Sequence, residues 1–224
     1  MSQPVKRTNI LQGSLDDSKV SSGVRRGTLG LYQRRVRARV FGEPVYDVEL
    51  VDDGPHRIAH EAWKRMVASA KRDGIDTAML HIHSAYRSVA WQTHIFDYWV
   101  EERRKKRELE GLEALPLKKL QQLQSKWTAI PGTSAHHTGF AIDLKLYELG
   151  KRESRKHPTY AWLAQHARSF GFYPYFPEAW HWEYNPPGLI EQLVSLRSAI
   201  ASGEPYEHLL YPPEDIPIAP PKHQ

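Results

Sequence analysis

Between Pro55 and Asp73, Ile58, Ala62, Met66 and Ala70 recur every four residues, with Ala59, Trp63 and Val67 beside them. That stripe predicts an amphipathic helix, and Asp73-Gly74 supplies its stop, since glycine suits the left-handed position after a helix. Thr77 to His83 (TAMLHIH) reads as a short strand. Ser88 to about Glu110 and Pro116 to Trp127 read as two further helices, leading to a turn at Pro131-Gly132. In Phe140 to Leu144, Phe140, Ile142 and Leu144 alternate with Ala141 and Asp143; in Trp180 to Tyr184, Trp180, Trp182 and Tyr184 alternate with His181 and Glu183. Period-2 alternation predicts strands with one apolar face. Tyr160 to Phe170, closed by Gly171, and Leu189 to about Ile200 complete the pattern as helices.

These elements describe one α+β domain over residues 41–200. Residues 1–40 are expected to be a flexible basic arm, although Leu31 to Val40 alternates arginines with apolar residues as a half-exposed strand would. Residues 201–224 are expected to be an extended tail, because five of the sixteen prolines lie beyond Tyr211.

Composition narrows the chemistry. The 224 residues include no cysteine, which excludes disulfides, thiolate metal sites and a cysteine nucleophile. No apolar run is long enough to cross a membrane, and the N-terminus lacks the apolar region of a signal peptide. The protein is therefore expected either to stay inside or to leave by another route. Lys and Arg number 31 against 26 Asp and Glu, a net charge of +5. Such a balance draws a protein towards nucleic acid, anionic lipid or an acidic cell-wall polymer, but no nucleic-acid motif accompanies it. The run EERRKKRELE at residues 101–110 is most simply a solvated helix end.

Three segments could carry chemistry. PGTSAHHTGFAIDL (131–144) sets His136 and Asp143 with six residues between them, and Gly139 lets the chain turn into a strand. PEAWHWEY (177–184) puts His181 on the strand face away from the aromatics, three residues after Glu178. Two histidines and one carboxylate can hold a zinc ion with an open fourth position, and a nearby unligated carboxylate can take a proton. On spacing alone, the simpler reading of the same residues is two structural histidines and a capping aspartate. HSAYRSVAWQ (83–92) places Arg87 between a strand and a helix, where a guanidinium can clamp a carboxylate. His81 and His83 share a strand face and read as ordinary strand residues; His94 and His166 read as helix packing or surface residues.

The three segments together resemble the VanY-type D-alanyl-D-alanine carboxypeptidases, zinc peptidases of the LAS group (lysostaphin, D-Ala-D-Ala metallopeptidases, sonic hedgehog). The pattern S-x-H-x-x-G-x-A-x-D stands here as Ser134, His136, Gly139, Ala141 and Asp143. E-x-W-H stands as Glu178, Trp180 and His181, and S-x-Y-R-S-x-x-x-Q as Ser84, Tyr86, Arg87, Ser88 and Gln92. Trp162-Leu163 and Phe170-Gly171-Phe172 are also similar to the helix and turn before the last motif. The resemblance spans about residues 55 to 190.

It implies a small antiparallel sheet carrying a zinc site and flanked by helices, as in hedgehog and the D,D-peptidases. It implies Zn2+ held by His136, Asp143 and His181, with Glu178 as the general base. It implies Arg87 as the group that binds substrate and stabilises the oxyanion, with Ser134, Gln92, Tyr86 and Ser88 positioning substrate. The implied substrate is a peptidoglycan stem peptide, the implied setting the cell envelope or periplasm, and the implied state a monomer. Removal of a terminal D-alanine is the leading activity. An L-alanyl-D-glutamate endopeptidase and a non-catalytic zinc-containing wall-binding module are the alternatives. Ala135 and Ala179 depart from the usual Glu and Pro of the family, which bears on substrate preference. Residues 93–130 are expected to form a rim or lid.

The base has a geometric condition. Residues three apart on a regular strand point to opposite faces, so Glu178 can reach the His181 face only if the chain bends around Pro177 and Ala179. Glu183 shares the His181 face without any bend and is the second candidate.

Overall fold

The computed structural model describes residues 54–87 and 89–214. Helix α1 (Arg57–Arg72) starts at His56, whose ring Nδ1 accepts the Ile58 N–H. Ile58, Ala62, Met66 and Ala70 are all buried along it. A 3-10 turn at Thr77–Leu80 follows, and then strand β1 (Ile82–Ser84). Helices α2 (Val89–Leu109) and α3 (Leu117–Gln124) form a hairpin. A 3-10 turn at Ala135–Thr138 leads into β2 (Ala141–Leu144). Two short helices, α4 (Gly150–Lys156) and α5 (Pro158–His166), precede β3 (Phe172–Pro174) and β4 (His181–Tyr184), and α6 (Leu189–Ser202) comes last.

The four strands form one antiparallel sheet in the order β1-β2-β4-β3. Phe140 leads β2's core-facing row, Ile142 and Leu144, and joins Trp182, Tyr184 and Phe172 in the main core against Ile58, Met66 and Leu163. One face of the sheet is thus committed to hydrophobic burial, the dominant favourable contribution to folding. The opposite face of the two central strands carries Ala141, Asp143, His181 and Glu183. The register pairs Asp143 with His181 and Ala141 with Glu183, and cross-strand partners share a face.

The expected elements hold with three differences. Thr77 to Leu80 is a 3-10 turn rather than strand, because the Asp76 carboxylate accepts the Ala78 N–H and caps it, leaving only Ile82–Ser84 to pair. Strand β3 and helix α4 had no period to announce them. Residues beyond 200 also pack into the domain: Leu210 is buried in the core, and Gln192 Nε2 donates to the carbonyls of Leu209 and Tyr211. The arginine-rich stretch Leu31 to Val40 and the basic arm lie outside the described residues.

The α2–α3 hairpin has its own small core of Phe96, Val100 and Leu120, with Leu115 and Ile130 packed against it. Its charge run is satisfied along the helix, Arg104 by Glu101 at 2.6 Å and Lys105 by Glu102 at 2.9 Å, as a solvated helix end would be.

Gly139 ends the Ala135–Thr138 turn in the left-handed region at φ 70°, and its carbonyl accepts the His56 N–H at 2.7 Å. A side chain there is expected to cost about 1–2 kcal/mol. Chemical denaturation of Gly139→Ala in the presence of a chelator checks this, and an unchanged midpoint would contradict it.

A candidate metal centre on the polar face of the sheet

Three elements bring His136, Asp143 and His181 together. The 3-10 turn at Ala135–Thr138 carries His136, β2 carries Asp143 and β4 carries His181. One donor atom from each lies within 4.8 Å of the others, and all three residues are buried. Asp143 Oδ2 is 3.2 Å from His136 Nε2, and Asp143 Oδ1 is 3.0 Å from His181 Nδ1.

The far side of each imidazole is already engaged. His136 Nδ1 lies 2.5 Å from the Ala85 carbonyl; a carbonyl only accepts, so the proton sits on Nδ1 and the Nε2 lone pair faces Asp143. His181 Nε2 lies 3.3 Å from Glu183 Oε1, which leaves Nδ1 facing the same point. An outer acceptor on one ring nitrogen and a convergent donor on the other is the usual arrangement of metal-binding histidines. The donor set of two imidazoles and one carboxylate fits zinc with one position open.

The electrostatics follow from this clustering. Burial pushes the Asp143 carboxyl up, but the two histidines outweigh it and hold the group well below the usual carboxylate range. Burial works against a charge on His181, yet the carboxylates of Asp143 and Glu183 raise its pKa to about 9. Glu178 is pushed upwards, chiefly by burial.

Glu178 lies in the β3–β4 loop rather than on the strand. Its carbonyl accepts the His181 N–H at 3.1 Å, and its own N–H donates to Tyr175 O at 3.0 Å. That tight turn is the bend the sequence required. It brings Glu178 Oε2 to 3.9 Å from His181 Nδ1, with the Glu178 side chain 34% exposed against 8% for His181. The Arg155 guanidinium also donates to the Phe176 carbonyl, tying the loop to α4. Glu183 shares the His181 face as expected, but it is buried at the Nε2 edge of the ring, away from the converging donors.

Arg87 leaves the end of β1, where the register shifts between Ile82 and Ser84 and Ser84 pairs with Asp143. Its Nη2 lies 3.7 Å from Asp143 Oδ2, and its Nη1 donates to Gln92 Oε1 at 3.0 Å. Gln92 is fully buried and its Nε2 donates to Ala129 O at 2.7 Å, so both ends of its amide are engaged, one of them by the Arg87 guanidinium. The Ser134 hydroxyl oxygen accepts the His136 N–H and caps the turn that carries this histidine. Tyr86 is half-buried between Ala85 and Arg87; Ser88 lies outside the described residues.

Three other histidines are engaged elsewhere. His83 stacks on Tyr147, His94 on Trp91 and His166 on Trp162. Sequence reasoning missed the part played by the Ala85 carbonyl, which no side-chain motif can signal, and the contacts of His137. The latter's only signal was its place beside His136.

A model of the VanY family, described as D-alanyl-D-alanine carboxypeptidase, matches residues 55–187. The chain belongs to the VanY family. The match contains the whole cluster from Ser84 to Glu183. A D-alanyl-D-alanine carboxypeptidase of Enterococcus faecalis is 28% identical over 127 residues, covering 52% of this chain and 42% of that protein. This VanY-family chain therefore spans less than half the length of that relative.

Solved structures similar to it include a mutant of the vancomycin-resistance D,D-pentapeptidase VanY from a VanB-type cassette, in complex with Zn(II). That structure is 23% identical, with a TM-score of 0.42, covering 70% of this chain and 83% of that one. VanYB in complex with D-alanine-D-alanine is 24% identical, with a TM-score of 0.40, covering 68% and 80%. The LD-carboxypeptidase LdcB is 22% identical, with a TM-score of 0.44, covering 69% and 67%.

Proposed function

We propose that this chain is a zinc-dependent carboxypeptidase that removes the terminal D-alanine from peptidoglycan stem peptides, and that it works at the cell wall. The observation that carries the reading is the convergence of His136, Asp143 and His181 within 4.8 Å, with Glu178 and Arg87 beside them. Membership of a family described by that activity supports it. The catalytic unit in this reading is residues 41–200 together with the packed segment that follows, the basic arm and proline-rich tail flanking it.

His136 Nε2, an Asp143 oxygen and His181 Nδ1 are the ligands. A bound zinc supplies Lewis acidity, polarising the scissile carbonyl and acidifying water beside it. Glu178 takes a proton from the attacking water on a carboxylate oxygen and passes it to the leaving amine nitrogen. The water oxygen ends on the carbonyl carbon as the peptide bond breaks. Arg87 donates hydrogen bonds to the substrate's carboxylate or to the developing oxyanion, a charge-assisted contact that strengthens as negative charge grows. Glu183 holds the His181 Nε2–H and so orients the ring.

Mass spectrometry of a purified pentapeptide stem, incubated with the protein with and without a zinc chelator, tests this. Chelator-sensitive loss of one C-terminal alanine is the expected result. A chelator-sensitive cut between L-alanine and D-glutamate would make the chain an endopeptidase on the same metal. An untouched peptide beside zinc-loaded protein would overturn the carboxypeptidase reading in favour of a wall-binding module.

A further inference from the structure

His137 is buried and stands beside the proposed ligand His136, yet its ring faces the other way. Its Nδ1 lies 2.6 Å from the Arg87 carbonyl, and its Nε2 is 3.1 Å from the Gly132 backbone nitrogen. The carbonyl only accepts and the amide only donates. The ring is therefore the neutral Nδ1–H tautomer, donating to Arg87 and accepting from Gly132. The Arg87 N–H in turn donates to the His136 carbonyl at 3.1 Å. The backbone of Arg87 is gripped on both its polar groups by two adjacent histidine residues.

A second connection reaches the same place. Gln92 accepts from the Arg87 guanidinium and donates to Ala129 O. Ala129 and Gly132 belong to one loop, closed by the Thr133 N–H and hydroxyl both donating to the Ile130 carbonyl, and Ile130 packs on the core of the α2–α3 hairpin. Arg87 is thus held at its backbone through His137 and at its side chain through Gln92, both anchored in the loop 129–133.

We propose that His137 is a positioning residue for Arg87: its ring bridges the Arg87 carbonyl and the Gly132 amide, fixing where the guanidinium meets the substrate. This rests on Arg87 as the substrate-binding cation. It adds a residue that touches neither metal nor substrate, and it gives the α2–α3 hairpin a route to the site.

Two substitutions separate the two bonds. In His137→Asn the amide nitrogen falls close to the place of ring Nδ1 and can still donate to Arg87 O. In His137→Gln the amide oxygen falls close to the place of Nε2 and keeps only the Gly132 bond. His137→Gln is expected to raise KM for the stem peptide about tenfold or more with a smaller change in kcat and full zinc content, whereas His137→Asn recovers most of that loss. In an Arg87→Met background His137→Gln is expected to add little, since residues acting through one another are not additive.

Equal KM values for the two variants and the wild type, equal losses in both variants, or additive effects with Arg87→Met would each overturn the proposal. The Arg87 Nε–H resonance, followed by heteronuclear NMR, reads the same point without turnover. Ordered signal in the wild type and His137→Asn with loss of order in His137→Gln supports it, and unchanged order in His137→Gln overturns it. A wild type that cleaves no peptide would count against the carboxypeptidase reading alone, because the resonance still decides the role of His137.

Discussion

Glu178→Gln is expected to keep zinc at one ion per chain and to lower kcat by about a hundredfold to ten-thousandfold, the range that a positioned general base contributes. Gln preserves the shape of the side chain and removes its proton acceptor. The carboxylate sits beside the proposed zinc ligands, 3.9 Å from His181 Nδ1, and is the more exposed of the two candidates. Glu183 is buried behind the ring, where it meets Nε2. Glu183→Gln is therefore expected to act on the metal, weakening zinc binding by about ten- to a hundredfold, as losing an outer partner of a ligand does.

Kinetics and metal content of the two variants form the test. Metal loss in Glu178→Gln, or a zinc-loaded but inactive Glu183→Gln beside an active Glu178→Gln, would reverse the assignment. A pH profile adds a sign. In the metal-free chain burial raises the Glu178 pKa; the base must be ionised to act, so kcat/KM should fall on the acid side, and that limb should vanish in Glu178→Gln.

His181→Ala is expected to abolish stoichiometric zinc binding, because it removes one of three donors and leaves an incomplete site. Zinc retained at full stoichiometry would exclude His181 as a ligand. The raised pKa of this histidine is expected to make the metal-free protein lose stability with rising pH over a range in which the metal-loaded protein does not. In the metal-free protein the pKa rises from 6.5 to about 9. The charged ring then stabilises the fold fully below pH 6.5, and that stabilisation, about 3 kcal/mol from a shift of this size, is lost as pH rises through about 9.

Zinc requires the Nδ1 proton to leave, so its affinity should rise about tenfold per pH unit across the same window. Thermal melts across pH, with chelator and with zinc, should show the gap between the two widening as pH increases. His181→Ala should flatten both trends. A gap independent of pH would contradict the coupling.

Much of this was legible from residue order. Helix α1 declares itself because Ile58, Ala62, Met66 and Ala70 fall on one stripe, and the stripe is what becomes buried. β2 and β4 declare themselves because alternation with period 2 separates a core row, Ile142 with Trp182 and Tyr184, from the polar row of Asp143, His181 and Glu183. That separation also marked Asp143 and His181 as candidates for a site, since a buried strand rarely spends its second face on ionisable groups without a use for them. Less was legible where local hydrogen bonding overrode pattern. The Asp76 cap turned Thr77–Leu80 into a 3-10 turn. β3, three residues ending in a proline, is too short for a period to register.

Residue order by itself determined the α+β class and the turn that Glu178 would need, because these follow from side-chain periodicity and backbone stereochemistry, whereas His136, Asp143 and His181 were singled out as a set by the resemblance of their motifs to the VanY family. Tertiary structure decided the rest. The antiparallel register sets Asp143 against His181. The carbonyl of Ala85 and the carboxylate of Glu183 choose which nitrogen of each imidazole faces inward. The loop at Gly132 turns His137 towards Arg87. Each of these depends on a hydrogen bond between segments distant in the chain, and a partner that is a backbone atom or a remote strand leaves no mark on the local sequence.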